Sequence, residues 1–218
     1  MSQHSKALAI LALGVAIAVT GLALTRQVIA VAGEADAERL NRAILDYVAQ
    51  KNPLAPISAF RGFSQIVLSE AQRTNLDHCL ILAQAEVESE FRHDAVGAAG
   101  EVGLFQMLPS TAALFESTVG PFRRPTATAA KGRRDLGDLA DPAVSTRFAM
   151  AYMRDIMNRR PSLREALTEY NGGPTGRHPH YYRMVMGAYV EVLSRPELRC
   201  RLRETPRQAP LLTLLSRA

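Results

Sequence analysis

The sequence predicts an all-α protein of seven or eight short helices, and three observations lead to this prediction. Several segments repeat apolar residues at helical spacing, with polar residues on the opposite face. No segment of useful length alternates apolar and polar residues as a strand does. The chain also lacks internal repeats and heptads, which argues against a coiled coil. Its 218 residues suffice for one well-buried domain and an extension.

Residues 1–32 have the composition of a targeting segment. The run from Ala7 to Leu24 carries no charge and follows a short polar head that contains Lys6. The length of this run favours an uncleaved membrane anchor, whereas residues 30–32, Ala-Val-Ala, resemble a signal-peptide cleavage site. Both alternatives stay open. Either one predicts N-terminal membrane contact and export of the rest of the chain.

The most informative stretch begins with residues 76–87, which are apolar on nearly every face. Such a pattern is typical of a buried helix. The helix ends in Glu88-Ser89-Glu90, and a carboxylate next to a core is costly unless it is paired or protonated. This setting raises the pKa of a Glu toward neutral pH and suits it to general acid catalysis.

Periodicity and end signals predict the other helices. Asp141-Pro142 combines an N-cap residue with a proline at the first helical position. Ser162 and Glu165 form a capping box, and the Gly172-Gly173-Pro174 sequence ends the helix that follows. The predicted segments are residues 35–51, 63–73, 109 onward, 141–160, 162–170 and 180–194.

Helical periodicity lapses from Ser117 to Ala140, where glycine, proline and basic residues are frequent. Loops of this length are uncommon in compact domains and are often functional. One interpretation is a solvated basic loop, and the other is a flap over an anionic substrate. The sequence leaves both open.

The composition restricts the function classes. A net charge of +5 is too small to predict nucleic-acid binding, and 6% aromatic residues without Trp do not favour stacking surfaces. The five His residues lack the spacing of a ligand set, so we expect no metal and no other cofactor. Cys79 and Cys200 can form one internal disulfide in an exported protein. Two free, buried thiols are the alternative.

Three short motifs occur in order along the chain. They are Glu88-Ser89-Glu90-Phe91, then Gly103-Leu104-Phe105-Gln106 with Leu108-Pro109-Ser110-Thr111-Ala112, and then Tyr170-Asn171-Gly172-Gly173-Pro174. Together they resemble the motifs of the soluble lytic transglycosylase (SLT) family, over about residues 60–194. The resemblance implies a lysozyme-like helical domain at residues 60–195. It would lie behind the N-terminal hydrophobic segment and a helical linker or first helix at 33–59, with a C-terminal tail at 196–218.

The resemblance also implies a reaction. The family cleaves the MurNAc-GlcNAc β-1,4 bond of peptidoglycan and leaves a 1,6-anhydro-muramyl end. Glu88 matches the family's only catalytic carboxyl group. Ser89, Gln106, Tyr170 and Asn171 match positions at the substrate groove, with Tyr170 next to the catalytic Glu. The alternatives are a helix C-cap for Asn171 and a core position with a satisfied hydroxyl for Tyr170. Ser89 is expected to brace the helix end rather than to act as a nucleophile.

Four further residues near the motifs lead to structural expectations. Gly103 is expected to let the backbone approach the substrate. Tyr181, which resembles the Tyr that opens the family's last helix, is expected to pack. Glu86 and Glu90 lie on the other side of the helix from the catalytic carboxylate and are expected to be surface charges.

Two alternative functions remain. One is a muramidase-type hydrolase that pairs Glu88 with Glu101 or Glu169. Glu169 replaces a small residue of the family pattern and either changes the pKa of Glu88 or faces solvent. The other alternative is a structural, wall-remodelling subunit of a secretion or conjugation machine, which would then be a partner. Every alternative places the protein on peptidoglycan, in the periplasm or on the periplasmic face of the inner membrane.

Overall fold

The computed structural model describes residues 33–126, 135–176 and 179–201. The predicted targeting segment and most of the predicted tail lie outside these ranges. The chain divides into one unit up to Arg42 and a second from Ala43 onward. Within the described ranges the structure is helical with isolated β-bridges and no strand, which confirms the predicted fold class.

Eight α-helices are seen in the described residues. Seven of them lie close to the predicted segments, whereas the short helix Glu116–Val119 falls where helical periodicity lapses. The eight helices are α1 (residues 33–51), α2 (Phe63–Thr74), α3 (His78–Ser89), α4 (Pro109–Ala113), α5 (Glu116–Val119), α6 (Pro142–Arg159), α7 (Leu163–Gly172) and α8 (Pro179–Leu193). Short 3₁₀ helices occupy Ile57–Phe60, Asp138–Ala140 and Pro196–Leu198. No helix in the described ranges has the length and apolar character needed to cross a membrane.

Local capping explains where three of these helices begin. The Asp77 side chain accepts a hydrogen bond from the Cys79 amide at the start of α3. Asp141 does the same for the first amides of α6, and Ser162 for α7. Each side-chain oxygen satisfies an amide that has no partner within its helix.

Helix α3 lies in the core of the second unit. Its residues from His78 to Ala85 are all buried, as the sequence predicts for a helix without a polar face. It packs most extensively against α8, while α2 packs against α6. The helix therefore begins in the core, and its last turn carries Glu88 to the edge of a cavity.

Cys79 and Cys200 form a disulfide, with their Cα atoms 5.6 Å apart. This finding decides between the two alternatives that the sequence left open. The bridge fixes the segment after the last 3₁₀ helix to the first turn of α3. On the same side, the His78 ring contacts the Leu198 carbonyl oxygen at 2.7 Å, and the Tyr189 hydroxyl donates to Asp77 at 2.8 Å.

The described parts of the 117–140 stretch fold back on themselves. The Thr126 amide donates to the Asp135 carbonyl at 2.9 Å, and Arg123 pairs with Asp135 and Asp138. Phe122 anchors the stretch by packing on Phe148, with the ring centroids 4.9 Å apart. Residues 127–134, which include the basic run Lys131-Gly132-Arg133-Arg134, lie outside the described residues.

Candidate active site

A cavity of about 420 Å³ lies where the end of α3 meets the loop before α4, the middle of α6 and the end of α7. Its lining consists of Glu88, Gly97, Ala98, Glu101, Gln106, Met107, Leu108, Thr111, Tyr152, Tyr170, Asn171, Gly173 and Pro174. Four of the residues predicted from sequence, Glu88, Gln106, Tyr170 and Asn171, are thus brought together. They come from three separate motifs.

Glu88 is a partly buried carboxylic acid at the cavity wall. Its side chain projects from the last turn of α3, one residue before the helix ends. Burial raises the pKa of this carboxyl group from 4.5 to about 7, because removal from water disfavours the charged form. A hydrogen bond from Tyr181 opposes this shift, and the negative charge of Glu101 adds to it. Near pH 7 the group can therefore both donate and accept a proton.

The Tyr181 hydroxyl donates a hydrogen bond of 2.5 Å to Glu88 Oε1. Tyr181 lies in the first turn of α8, 93 positions along the chain from its partner. The sequence predicts that Tyr181 packs, and its ring is buried. The sequence did not predict that its hydroxyl also bonds to Glu88. No local signal predicts this bond, which depends on the packing of α8 against α3.

Glu101 is the second carboxylate in the cavity lining. One of its carboxylate oxygens accepts a hydrogen bond of 3.0 Å from the Ala99 amide, which fixes its orientation. Gly97 makes room for this arrangement, since a Cβ atom there would lie 2.2 Å from Glu101 Oε2 and 2.9 Å from Gln106 Oε1. The sequence suggested Glu101 only as one of two candidate partners for a hydrolase.

Gln106 turns its amide nitrogen inward. Nε2 donates to the Gly103 carbonyl at 2.8 Å and to the Ala95 carbonyl at 3.3 Å, so these bonds fix the side chain at the cavity wall. The sequence predicts that the backbone at Gly103 approaches the substrate, but Gly103 is not part of the cavity lining. A Cβ atom at this position would lie 2.0 Å from the Leu139 carbonyl oxygen, so glycine is needed here for packing against the chain before α6.

Tyr170 and Asn171 reach the cavity from the end of α7. Tyr170 lines the same cavity as Glu88, and its hydroxyl donates to the Phe105 carbonyl at 3.0 Å and also contacts Met107 Sδ at 3.3 Å. The ring is buried and thus ties the second motif to the third. Asn171 lies within α7 rather than at its C-cap, which is Gly173.

The structure does not bring Ser89 to the cavity. Its side chain is buried, and its hydroxyl donates to the Leu104 carbonyl at 2.8 Å and to the Ala85 carbonyl at 3.3 Å. The resemblance implies that Ser89 lies at the substrate groove, but in the structure its side chain lies inside the domain. Ser89 braces the end of α3 against the second motif, as local side-chain chemistry predicts.

The other carboxylates near the motifs lie outside the cavity lining. Glu169 is buried and bonded to Arg159 and Arg160. Burial alone would raise its pKa, but these two bonds lower it. It therefore neither faces solvent nor contributes to the shift at Glu88. Glu86 was expected to be a surface charge, but its side chain is only 18% exposed and pairs with Lys51.

Within the described ranges, Asp77, Cys79 and Cys200 form a group of metal-ligating residue types. Both sulfur atoms are joined in the disulfide, so neither can bind a metal as a thiolate. The group also lies at the first turn of α3, whereas Glu88 lies at the last. The candidate active site therefore consists of Glu88 with its neighbours Tyr181 and Glu101, at the wall of a cavity lined by polar groups.

Comparisons with known proteins show the family of the chain. No curated protein matches the chain. A solved structure that matches part of the chain is an inactive mutant of the lytic transglycosylase Slt from Pseudomonas aeruginosa, with 23% identity and a TM-score of 0.48. The likeness covers 62% of this chain and only 24% of that one. The Transglycosylase SLT domain family matches residues 65–181, more than half of the chain, and this protein belongs to that family.

Proposed function

We propose that this protein is a peptidoglycan lytic transglycosylase, which cleaves the MurNAc-GlcNAc β-1,4 bond and leaves a 1,6-anhydro-muramyl end. The observation that most supports this proposal is the state of Glu88. Its carboxyl group lies at the wall of an open cavity, and its pKa is raised to about 7. A single group with this pKa can serve first as acid and then as base. Membership of the SLT family supports the same reaction.

The proposed reaction needs two proton transfers at Glu88. The protonated carboxyl group gives its proton to the glycosidic oxygen as the bond from that oxygen to the anomeric carbon breaks. The resulting carboxylate then takes the proton of the sugar's own 6-hydroxyl group, whose oxygen forms a bond to the anomeric carbon. No water is consumed, and Glu88 returns to its protonated form. Tyr181 holds one carboxylate oxygen throughout and leaves the other to face the cavity.

The second candidate function is a hydrolase, and the position of Glu101 favours it. Glu101 lies in the same cavity lining as Glu88 and could activate a water molecule or form a covalent intermediate. Glu169, the other candidate partner, is engaged by two arginines outside the lining. The choice between lyase and hydrolase thus depends on Glu101.

Digestion of purified peptidoglycan, followed by mass analysis of the fragments, separates these two functions. A lyase releases fragments with anhydro ends, whereas a hydrolase releases fragments that each contain one more water. The Glu101→Gln variant sharpens the result, because a lyase keeps its anhydro product and a hydrolase loses most of its rate. Reducing ends in place of anhydro ends, abolished by Glu101→Gln, would contradict the proposal.

We further propose that the protein acts outside the cytoplasm, in the periplasm or on the periplasmic face of the inner membrane. The apolar run from Ala7 to Leu24 supports export, and the Cys79–Cys200 disulfide is of the kind that forms in oxidising compartments. A role beside a secretion or conjugation machine is compatible with this location. Cell fractionation, with the N-terminus of the recovered protein identified by mass, would test it.

A further inference from the structure

The C-terminal end of α1 contacts the chain on both sides of the catalytic Glu. The family match begins at residue 65, so α1 lies outside the part of the chain that the family describes. Residues 43–51 of this helix nevertheless belong to the same unit as Glu88. Three residues make the contacts, namely Tyr47, Lys51 and Asn52, and we call them the α1 clamp.

Before Glu88, the α1 clamp binds Glu86. The Tyr47 hydroxyl donates to the Glu86 carboxylate, and Lys51 Nζ lies 2.7 Å from the same group. The side chains of Lys51 and Glu86 are each only 18% exposed, so this pair is more than a solvated surface contact. Lys51 also reaches Glu191 on α8, at 2.6 Å. The turn of α3 that leads to the catalytic carboxyl group is thereby fixed from outside the family region.

After Glu88, the α1 clamp binds Phe91. The Tyr47 and Phe91 rings pack edge to face, with centroids 5.8 Å apart, and Asn52 Nδ2 donates to the Phe91 carbonyl at 3.3 Å. Phe91 is fully buried. The end of α1 and the residue that follows it thus contact α3 before Glu88 and the chain after it.

The contact falls on strained backbone. Glu90 and Phe91 follow α3 directly and have φ angles of 52° and 57°, in the left-handed region that non-glycine residues avoid. Two such residues in succession persist only when surrounding contacts hold them. We call this change of chain direction at Glu90 and Phe91 the reversal. It is also bonded to the last turn of α3, because the Arg92 amide donates to the Ser89 carbonyl at 3.0 Å.

We infer that the three residues of the α1 clamp are positioning residues for catalysis, which keep Glu88 at its place in the cavity. Tyr47 and Lys51 hold α3 at Glu86. Tyr47 and Asn52 hold the strained backbone at Phe91. This inference rests on the proposed role of Glu88. It assigns a function to a helix that the sequence alone describes as a linker or first helix. The catalytic unit therefore starts within α1 and not at the family boundary.

The inference predicts how Glu88 responds when the α1 clamp is lost. Release of the reversal lets the last turn of α3 open, and water then reaches the carboxyl group. Since burial is the main cause of its raised pKa, exposure lowers that pKa toward 4.5. The groups that face Glu88 are Tyr181 from α8, Glu101 from the loop and Tyr170 from α7. Neutral substitutions in α1 leave all three groups in place.

The test compares Asn52→Ala and Tyr47→Ala with Tyr47→Phe, which keeps the ring. The kcat, the KM and the pH dependence of kcat are measured on peptidoglycan fragments, at a temperature well below each variant's unfolding transition. We expect the two alanine variants to lose about tenfold or more in kcat, as misplaced catalytic groups do, with little change in KM. The alkaline limit of activity moves to lower pH, and Tyr47→Phe recovers most of the loss.

Glu191→Gln is the matched control. It removes the negative charge on α8 that pairs with Lys51 and leaves the bonds to Glu86, so we expect the wild-type pH dependence. If the alanine variants are less stable but keep the wild-type kcat and alkaline limit, the clamp is merely structural and the inference fails. Should Tyr47→Ala not fold, Asn52→Ala alone decides by the same criterion. A failure of the proposed function is separate, since it appears as full activity of Glu88→Gln in the otherwise unchanged chain.

Discussion

At the scale of single residues, the chemistry depends on how the pKa of Glu88 is set. Burial supplies the largest shift, upward, and two neighbours act in opposite directions. Tyr181 donates to the carboxylate and so stabilises the charged form, which lowers the pKa. Glu101 adds negative charge nearby and raises it. These opposing contributions together place the pKa of the Glu88 carboxyl group near neutral pH.

The opposing contributions predict opposite pH shifts. A general acid must be protonated, so activity falls as pH rises through the pKa of Glu88. Tyr181→Phe removes the stabilising bond, and the alkaline limit of kcat should move to higher pH. Glu101→Gln removes the repelling charge, and the limit should move to lower pH. Rates measured from about pH 5 to pH 9 test both variants, and shifts in the same direction would contradict this description of the site.

Tyr170→Phe should mainly affect stability. The sequence suggested that this hydroxyl acts next to Glu88, but in the structure it donates to the Phe105 carbonyl. Without it, that buried acceptor has lost its hydroxyl donor, so we expect the free energy of unfolding in urea to fall by about 1–2 kcal/mol. A large loss of kcat with unchanged stability would instead give the hydroxyl a direct catalytic role.

At the scale of elements, the limits of sequence reasoning follow from the range of the interactions. The helix starts at Asp141 and Ser162 could be predicted, because a cap acts on amides two or three residues away. The bond between Tyr181 and Glu88 could not, because it forms only when α8 packs on α3. The arginine partners of Glu169 escaped prediction for a related reason, since they lie on and just after α6, across a helix junction.

Helix α3 is held at its start by the disulfide, which joins residues 121 positions apart. Closing a loop of that length stabilises a protein by about 4–5 kcal/mol in the chain-entropy model. Cys79→Ala combined with Cys200→Ala should therefore lower the free energy of unfolding substantially. Activity below the unfolding transition should persist, because Glu88 lies at the other end of the helix.

Denaturant unfolding of the double alanine variant, with the wild-type protein measured in the presence and absence of a reducing agent, provides the comparison. Reduction should lower the wild-type midpoint toward that of the variant. A wild-type midpoint that does not respond to the reducing agent, with two thiols free for alkylation, would show that the bridge does not form.

At the scale of the whole molecule, the family region is bonded to segments on both sides of it. The SLT match spans residues 65–181, but the disulfide uses Cys200 and the α1 clamp uses Tyr47 and Asn52. Sequence motifs could locate the end of α3 that carries Glu88, since the residues of each motif are close along the chain. They could not locate its supports, which come from segments with ordinary composition before and after the family region.

The N-terminal segment should be dispensable for the reaction itself. A chain that begins at residue 33 retains α1 as described, including the α1 clamp. We therefore expect it to be soluble, to unfold at the wild-type temperature and to cleave peptidoglycan in solution. Thermal unfolding and a digestion assay test this expectation. Aggregation or inactivity of the shortened chain would mean that residues 1–32 contribute to the folded domain.

The stability of Glu88→Gln at pH 8 shows whether the variant is folded. The pKa of Glu88 rises from 4.5 to about 7 on folding, so the protonated form is the one that the folded state favours. The associated stability is complete below about pH 4.5 and is lost as pH rises through about 7. An amide does not titrate, so the variant should be more stable than the wild type at pH 8, by at most about 3 kcal/mol.

The measurement that tests the central claim most directly is the release of anhydro fragments from peptidoglycan by Glu88→Gln, with its stability at pH 8 measured on the same preparation. Gln keeps the shape of the side chain but has no proton to transfer. We predict a folded protein, at least as stable as the wild type, whose rate of anhydro product formation is lower by about 10²-fold or more. A folded variant that releases these fragments at the wild-type rate would contradict the claim that Glu88 is the acid.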